Sequence, residues 1–181
     1  MKKTIVTFGL ISGAISSVMM VSTVPFLEKI GDEKAYIIGY TSMVLSFLLV
    51  YFGIRSYRDN VSGGHISFGK AFKLGLAITM ISCVCYVVTW EILSHTVMTD
   101  FVDKYAAHMV EKVRASGASA AEVEKTIQSM KDFKEIYKNP FINVAMTFIE
   151  PFPVGLLMTL ISAGVLRKRP GTLAVSGQTA S

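Results

Sequence analysis

The sequence predicts an all-α membrane protein, a four-helix transmembrane bundle with an extracytoplasmic helical hairpin between helices three and four. Three observations predict it. Apolar residues make up 51% of the 181 positions and the mean hydropathy is positive, more than a soluble globule of this length needs. Four stretches are long and apolar enough to cross a hydrocarbon core about 30 Å thick, which takes roughly 20 residues of helix. The formal net charge is +5, yet the basic residues flank these stretches instead of gathering on one soluble face. The charge therefore speaks for membrane orientation and against a nucleic-acid partner.

No charge falls between Lys3 and Glu28, which places the first span at 4–27. Ala14-Ile15-Ser16 resembles a signal-peptide cleavage site, but the chain stays apolar well beyond it, as an uncleaved anchor does. Lys34 and Arg55 bound the second span, 35–54. The third, 74–99, starts after Lys73 and runs through Glu91. The fourth, 141–166, is interrupted only by Glu150. Lysine and arginine favour the cytoplasmic side. Lys2 and Lys3, then Arg55, Arg58, Lys70 and Lys73, then Arg167, Lys168 and Arg169 put both termini and the second connection inside, with 100–138 outside.

The long connection at 100–138 carries helical periodicity. Phe101, Tyr105, His108, Met109 and Val113 form one stripe; Val123, Ile127, Met130, Phe133 and Tyr137 form another. Gly117 separates them, and Ser119 with Glu122 three residues on is a capping-box signal. A helical hairpin follows, its stripes burying against each other. The small, uncharged tail at 170–181 has no pattern that buries a core, and disorder is expected there.

Helices in lipid associate through close backbone packing, because lipid tails are as apolar as leucine. Gly9 with Gly13, and Gly155, Thr159 and Ala163, mark seams of that kind, internal or between copies. Cys83 and Cys85 lie inside an apolar run on different sides of a helix, so neither a disulfide framework nor a cysteine metal site is expected. The stretch from Gly64 to Ala71 has P-loop-like glycine and lysine spacing. However, Ala71 stands where the magnesium-binding hydroxyl belongs, and a transmembrane helix stands where the strand belongs. A turn at Ser62-Gly63-Gly64 is expected instead, with Phe68 and Phe72 at the interface and Lys70 and Lys73 facing anionic lipid headgroups.

In Glu150-Pro151-Phe152-Pro153, both prolines lack an N–H and crowd the carbonyl four residues back, so the fourth span must kink or break. Freed backbone at membrane depth is tolerated where it is buried in protein or lines a wet cavity. Glu91 lies 18 residues past Lys73 and Glu150 lies 17 before Arg167, so at about 1.5 Å per residue the two carboxylates share a depth of about 26 Å. His95 follows Glu91 by one helical turn. Two readings fit. Glu91, His95 and Glu150, with the carbonyls freed by Pro151 and Pro153, form one polar pocket for a proton, a cation or an amine, the carboxyl groups within about 8 Å. Alternatively, both glutamates simply reach the outer headgroups. No local spacing demands a metal, no cofactor motif occurs, and no serine sits beside a base in a recognisable elbow, so no enzymatic activity is expected.

Two stretches carry a family resemblance. One is Tyr51-Phe52-Gly53-Ile54-Arg55-Ser56-Tyr57 leading into Gly64-His65-Ile66-Ser67-Phe68-Gly69-Lys70-Ala71-Phe72-Lys73; the other is Glu150-Pro151-Phe152-Pro153-Val154-Gly155-Leu156. In order and spacing, nearly to Arg169, the chain resembles the bacterial family catalogued as domain of unknown function 4199, typical of Bacteroidota. The resemblance implies an inner-membrane, four-span protein and assigns no activity. The expected function is structural or accessory, through helix packing with a membrane-protein partner or a second copy. The alternative is an ion-coupled or small-solute transporter built on the carboxylates.

Overall fold

The computed structural model describes residues 1–26 and 30–168. The tail at 170–181 and residues 27–29 of the first connection lie outside the described residues. The helices are α1 (Lys2–Thr23), α2 (Asp32–Asn60), α3 (Phe68–Thr96), α4 (Phe101–Ala115), α5 (Ala120–Tyr137), α6 (Pro140–Ile149) and α7 (Phe152–Leu166). Among the described residues there is no strand, only an isolated antiparallel bridge between Ile66 and Lys168. Four stretches are long and apolar enough to cross a membrane: Lys2–Thr23, Tyr36–Asn60, Phe68–Thr96 and Pro140–Leu166.

The fourth stretch breaks at Glu150-Pro151, as the two prolines require. α6 ends at Ile149, and α7 restarts with Gly155 N–H donating to the Pro151 carbonyl at 3.0 Å. The break changes what the chain packs on. α7 sits against both α2 and α3, whereas α6 packs on α3 and α5 and makes no extensive contact with α2 among the described residues. α1 lies on the far side, against α3 and α2.

On the side of the bundle that carries the terminal ends of α1 and α7, the helices meet through glycines. A methyl group added at Gly9 would stand 2.8 Å from Ile81 Cβ, and one at Gly13 would stand 2.7 Å from Cys85 Sγ, so α1 touches α3 almost backbone to side chain. At Gly155 the same methyl would meet Thr79 Cγ2 at 2.5 Å and Phe47 Cε1 at 2.8 Å. The glycine steps are therefore internal seams. Hydroxyls fill the spaces between them. Ser12 of α1, Ser46 of α2 and Ser82 of α3 share 3.0 Å contacts through Ser12 Oγ, and Ser46 Oγ also donates to the Ser12 carbonyl at 2.7 Å. Thr79 and Thr159 meet at 3.0 Å. These buried hydroxyls thus have partners, which is what a polar group in an apolar bundle requires.

The connection between α2 and α3 closes this side. Gly63 and Gly64 take positive φ angles of 64° and 80°, which turn the chain, and Ser67 caps α3 by accepting from Lys70 N–H. Ile66, 3% exposed, exchanges two backbone hydrogen bonds with Lys168 at 3.0 and 2.9 Å. The loop that carries the P-loop-like spacing is thus a clasp from the start of α3 to the end of α7.

On the opposite side, α4 and α5 pack against each other. Gly117 takes φ 75° between them, and the Ser119–Glu122 capping box is fully formed. Lys134 reaches across to Asp103 at 2.6 Å. A closed ring of aromatics joins the hairpin to the bundle. Trp90 lies edge-on to Phe101 at 4.8 Å; Phe101, Tyr105, Phe133 and Tyr137 follow at 6.1, 5.8 and 5.4 Å; and Trp90 Nε1–H donates back to the Tyr137 oxygen at 2.8 Å. Such contacts add orientation to the area they bury.

Candidate functional site

Where α6 leaves α2, the bundle stays open. A cavity of about 950 Å³ lies between α1, α2, α3 and α6, with α4 over it. Its volume falls in the range of small-molecule sites. The helices present two kinds of side chain to it. Met19, Met20, Met43, Met98 and Met146 give an apolar, adaptable wall. Tyr36 and Tyr40 from α2, Tyr86 and Trp90 from α3, and Phe101 and Tyr105 from α4 give rings. The placement follows from helical spacing: Tyr36 with Tyr40, and Tyr86 with Trp90, are four residues apart and share a face.

Glu150 lies on the cavity wall at the break between α6 and α7. Its Oε2 accepts from the Tyr86 hydroxyl at 3.0 Å. No basic side chain forms an ion pair with it among the described residues. Thr147, one turn before, is buried and bonds to Asn143 at 3.3 Å. Tyr137 completes this corner. Burial pushes its phenol above the ordinary tyrosine range; the carboxylates of Glu91 and Glu150 push the same way, and the hydrogen bond from Trp90 opposes them. The phenol therefore stays neutral and its oxygen serves as an acceptor.

The sequence-derived residues separate into two groups. Glu150 and Pro151 stand together at the break, Pro151 buried as the residue before α7, while Pro153 is exposed in the first turn of α7. Glu91 and His95 stand together on α3, with His95 Nδ1 3.9 Å from Glu91 Oε2 and 2.8 Å from the Glu91 carbonyl oxygen. Glu91 and His95 are not on the cavity wall. Glu91 Oε1 is buried with no hydrogen-bond partner among the described residues. The two carboxylates have separate partners, Tyr86 for one and His95 for the other, and Tyr137 feels both.

Sequence reasoning missed Tyr86, Trp90, Tyr36 and Tyr40 as a group. The four-residue spacing was visible in each helix, but only the fold brings α2 and α3 to one cavity. No cluster of three or more His, Cys, Asp or Glu able to hold a metal occurs among the described residues.

Four long apolar helices, glycine seams and hydroxyls satisfied between helices define the class: a helical-bundle membrane protein with a half-open cavity toward its hairpin. Within that class the chain belongs to the family described as "Protein of unknown function (DUF4199)", whose model matches residues 7–168. No curated protein and no solved structure matches it.

Proposed function

We propose that the chain is a multi-pass protein of the bacterial inner membrane, with both termini cytoplasmic and the hairpin outside, that binds a small amphiphilic molecule in the cavity beneath α4. The cavity carries this reading. It is large, walled by methionines and rings, and it has one hydrogen-bonded carboxylate, the mixture of apolar surface and few polar groups that small-molecule sites show. Binding is the step common to a carrier, a receptor and an accessory subunit that senses a ligand. It is placed ahead of partner packing because the cavity offers a defined set of wall residues for a ligand.

Orientation is tested with Cys83 and Cys85 removed. In intact cells an impermeant maleimide should label Ser119→Cys and miss Ser176→Cys; the reverse pattern overturns the orientation. Binding is tested through Trp90, the one tryptophan in the chain, which lies on the cavity wall. In nanodiscs of phosphatidylethanolamine and phosphatidylglycerol, neutral 4-bromoneopentylbenzene should quench Trp90 saturably. Gly39 lies on the wall, and nothing stands within 4 Å of a methyl group built there, so Gly39→Phe fills the cavity and should abolish the saturable part. Linear quenching, equal in both proteins, would mean lipid partition only.

A further inference from the structure

We infer that the cavity selects an organic cation, a protonated or quaternary amine on an apolar body, with Glu150 as its counter-ion. The inference rests on the binding reading above and adds the chemical class of the ligand. It is carried by what surrounds Glu150. A carboxylate inside an apolar span is costly unless charge or hydrogen bonds compensate it. Glu150 is exposed toward the cavity, its Oε2 takes one hydrogen bond, from Tyr86 at 3.0 Å, and among the described residues no cation pairs with the carboxylate. The arrangement is half complete: Oε2 is held in place, and the balancing positive charge is left for something else to bring.

The walls favour an organic cation over an inorganic one. A hard metal ion wants six or more oxygen ligands, or a tight cluster of carboxylates and imidazoles. The described residues contain no group of three such side chains. What faces the cavity instead is ring surface, from Tyr36, Tyr40, Tyr86, Trp90 and Tyr105. The face of an aromatic ring carries negative potential and attracts a diffuse ammonium, and cages of such rings hold quaternary amines. The remaining charged residues of the lining are mixed in sign and offset one another. Lys104 and His108 lie toward α4 with Glu111, and Lys104 is met by Asp100 at 3.3 Å, so the cavity is not positive overall. The methionines then take the apolar body.

The experiment compares two probes that differ in one atom. 4-Bromobenzyltrimethylammonium and 4-bromoneopentylbenzene have the same shape, nitrogen in one standing where carbon stands in the other. Quenching of Trp90 in the same nanodiscs reads both. The expected result is that the cation binds about tenfold more tightly than its neutral isostere, the scale of one desolvated cation–ring or ion-pair contact. In Glu150→Gln the ratio of the two affinities should fall to about one, and far-UV dichroism and size-exclusion elution of the same nanodiscs show that the variant is folded. Tyr86→Phe, which frees the carboxylate without removing its charge, should keep part of the preference. Equal binding of the two probes to the unaltered protein overturns the inference and leaves the binding reading standing. An undiminished preference in Glu150→Gln overturns it too. If neither probe quenches saturably, the binding reading has failed and the inference falls with it. Should Glu150→Gln not fold, Glu150→Met, which keeps the length of the side chain without its charge, carries the same comparison.

Discussion

The two ends of the bundle use the same four helices differently. Toward the termini, α7 lies between α2 and α3, glycines bring the helices into contact, and a loop is clasped to the end of α7 by the Ile66–Lys168 bridge. Toward the hairpin, α6 keeps only α3 and α5 as extensive neighbours, large rings replace glycines, and about 950 Å³ is left open. The change happens at Glu150-Pro151. Proline cannot continue the hydrogen-bond ladder, so the chain redirects there, and the packing it abandons becomes the cavity. Close packing at one end and space at the other are thus two outcomes of one local break.

The largest effect that would break this contrast comes from a pair of glycine substitutions. Gly155→Leu drives a side chain into Thr79 and Phe47, which already stand 2.5 and 2.8 Å from the first added carbon. Overpacking of this kind costs about 1–3 kcal/mol, and contacts with buried side chains on two helices place it toward the upper end. Gly39→Phe meets nothing within 4 Å at its first carbon and should change stability by no more than about 0.5 kcal/mol. Unfolding in mixed micelles with increasing dodecyl sulfate measures both. Equal losses would mean that the two ends are packed alike and that the cavity closes in the membrane.

How much of this was legible in the sequence depends on whether the signal was local. The apolar stretches, the break at Pro151, the Ser119–Glu122 cap and the turn at Gly63-Gly64 are each written within a few residues, and each appears in the structure. The glycine seams were visible as spacing, though not whether they faced inward. The Ser12–Ser46–Ser82 contact was not legible at all, because three isolated serines on three helices carry no shared pattern. The candidate site was half legible. Counting residues from the basic anchors gives the depth of Glu91 and Glu150, but depth leaves open which way a side chain points. Direction depends on how helices 64 residues apart in sequence are rotated against each other, and that rotation gives Glu150 to Tyr86 and the cavity and leaves Glu91 to His95.

The smallest effect expected sharpens the comparison by asking whether hairpin and cavity open together. The Glu122 carboxyl is held below the usual glutamate range, first by the Ser119 backbone N–H and then by the Ser119 hydroxyl, both bonds at 2.8 Å. A depressed folded-state value means that the cap's contribution is complete above the ordinary glutamate pKa. It is lost as pH falls through the lower folded value. Amide hydrogen-exchange protection in the first turn of α5 should therefore be full near neutral pH and decline below roughly pH 4. Ser119→Ala removes one of the two partners and the reciprocal bond to Glu122 N–H, so it should weaken this turn at every pH by about 1 kcal/mol, the usual loss for an N-cap hydroxyl. Glu122 sits at the tip of the hairpin, and the ring of Trp90, Phe101, Tyr105, Phe133 and Tyr137 sits at its base. Fraying at the tip should leave that ring intact, and Trp90 emission should stay constant through the same acid range. If the emission moves together with the exchange at α5, hairpin and cavity roof unfold as one unit, and the seat formed by the aromatic ring is weaker than its contacts suggest.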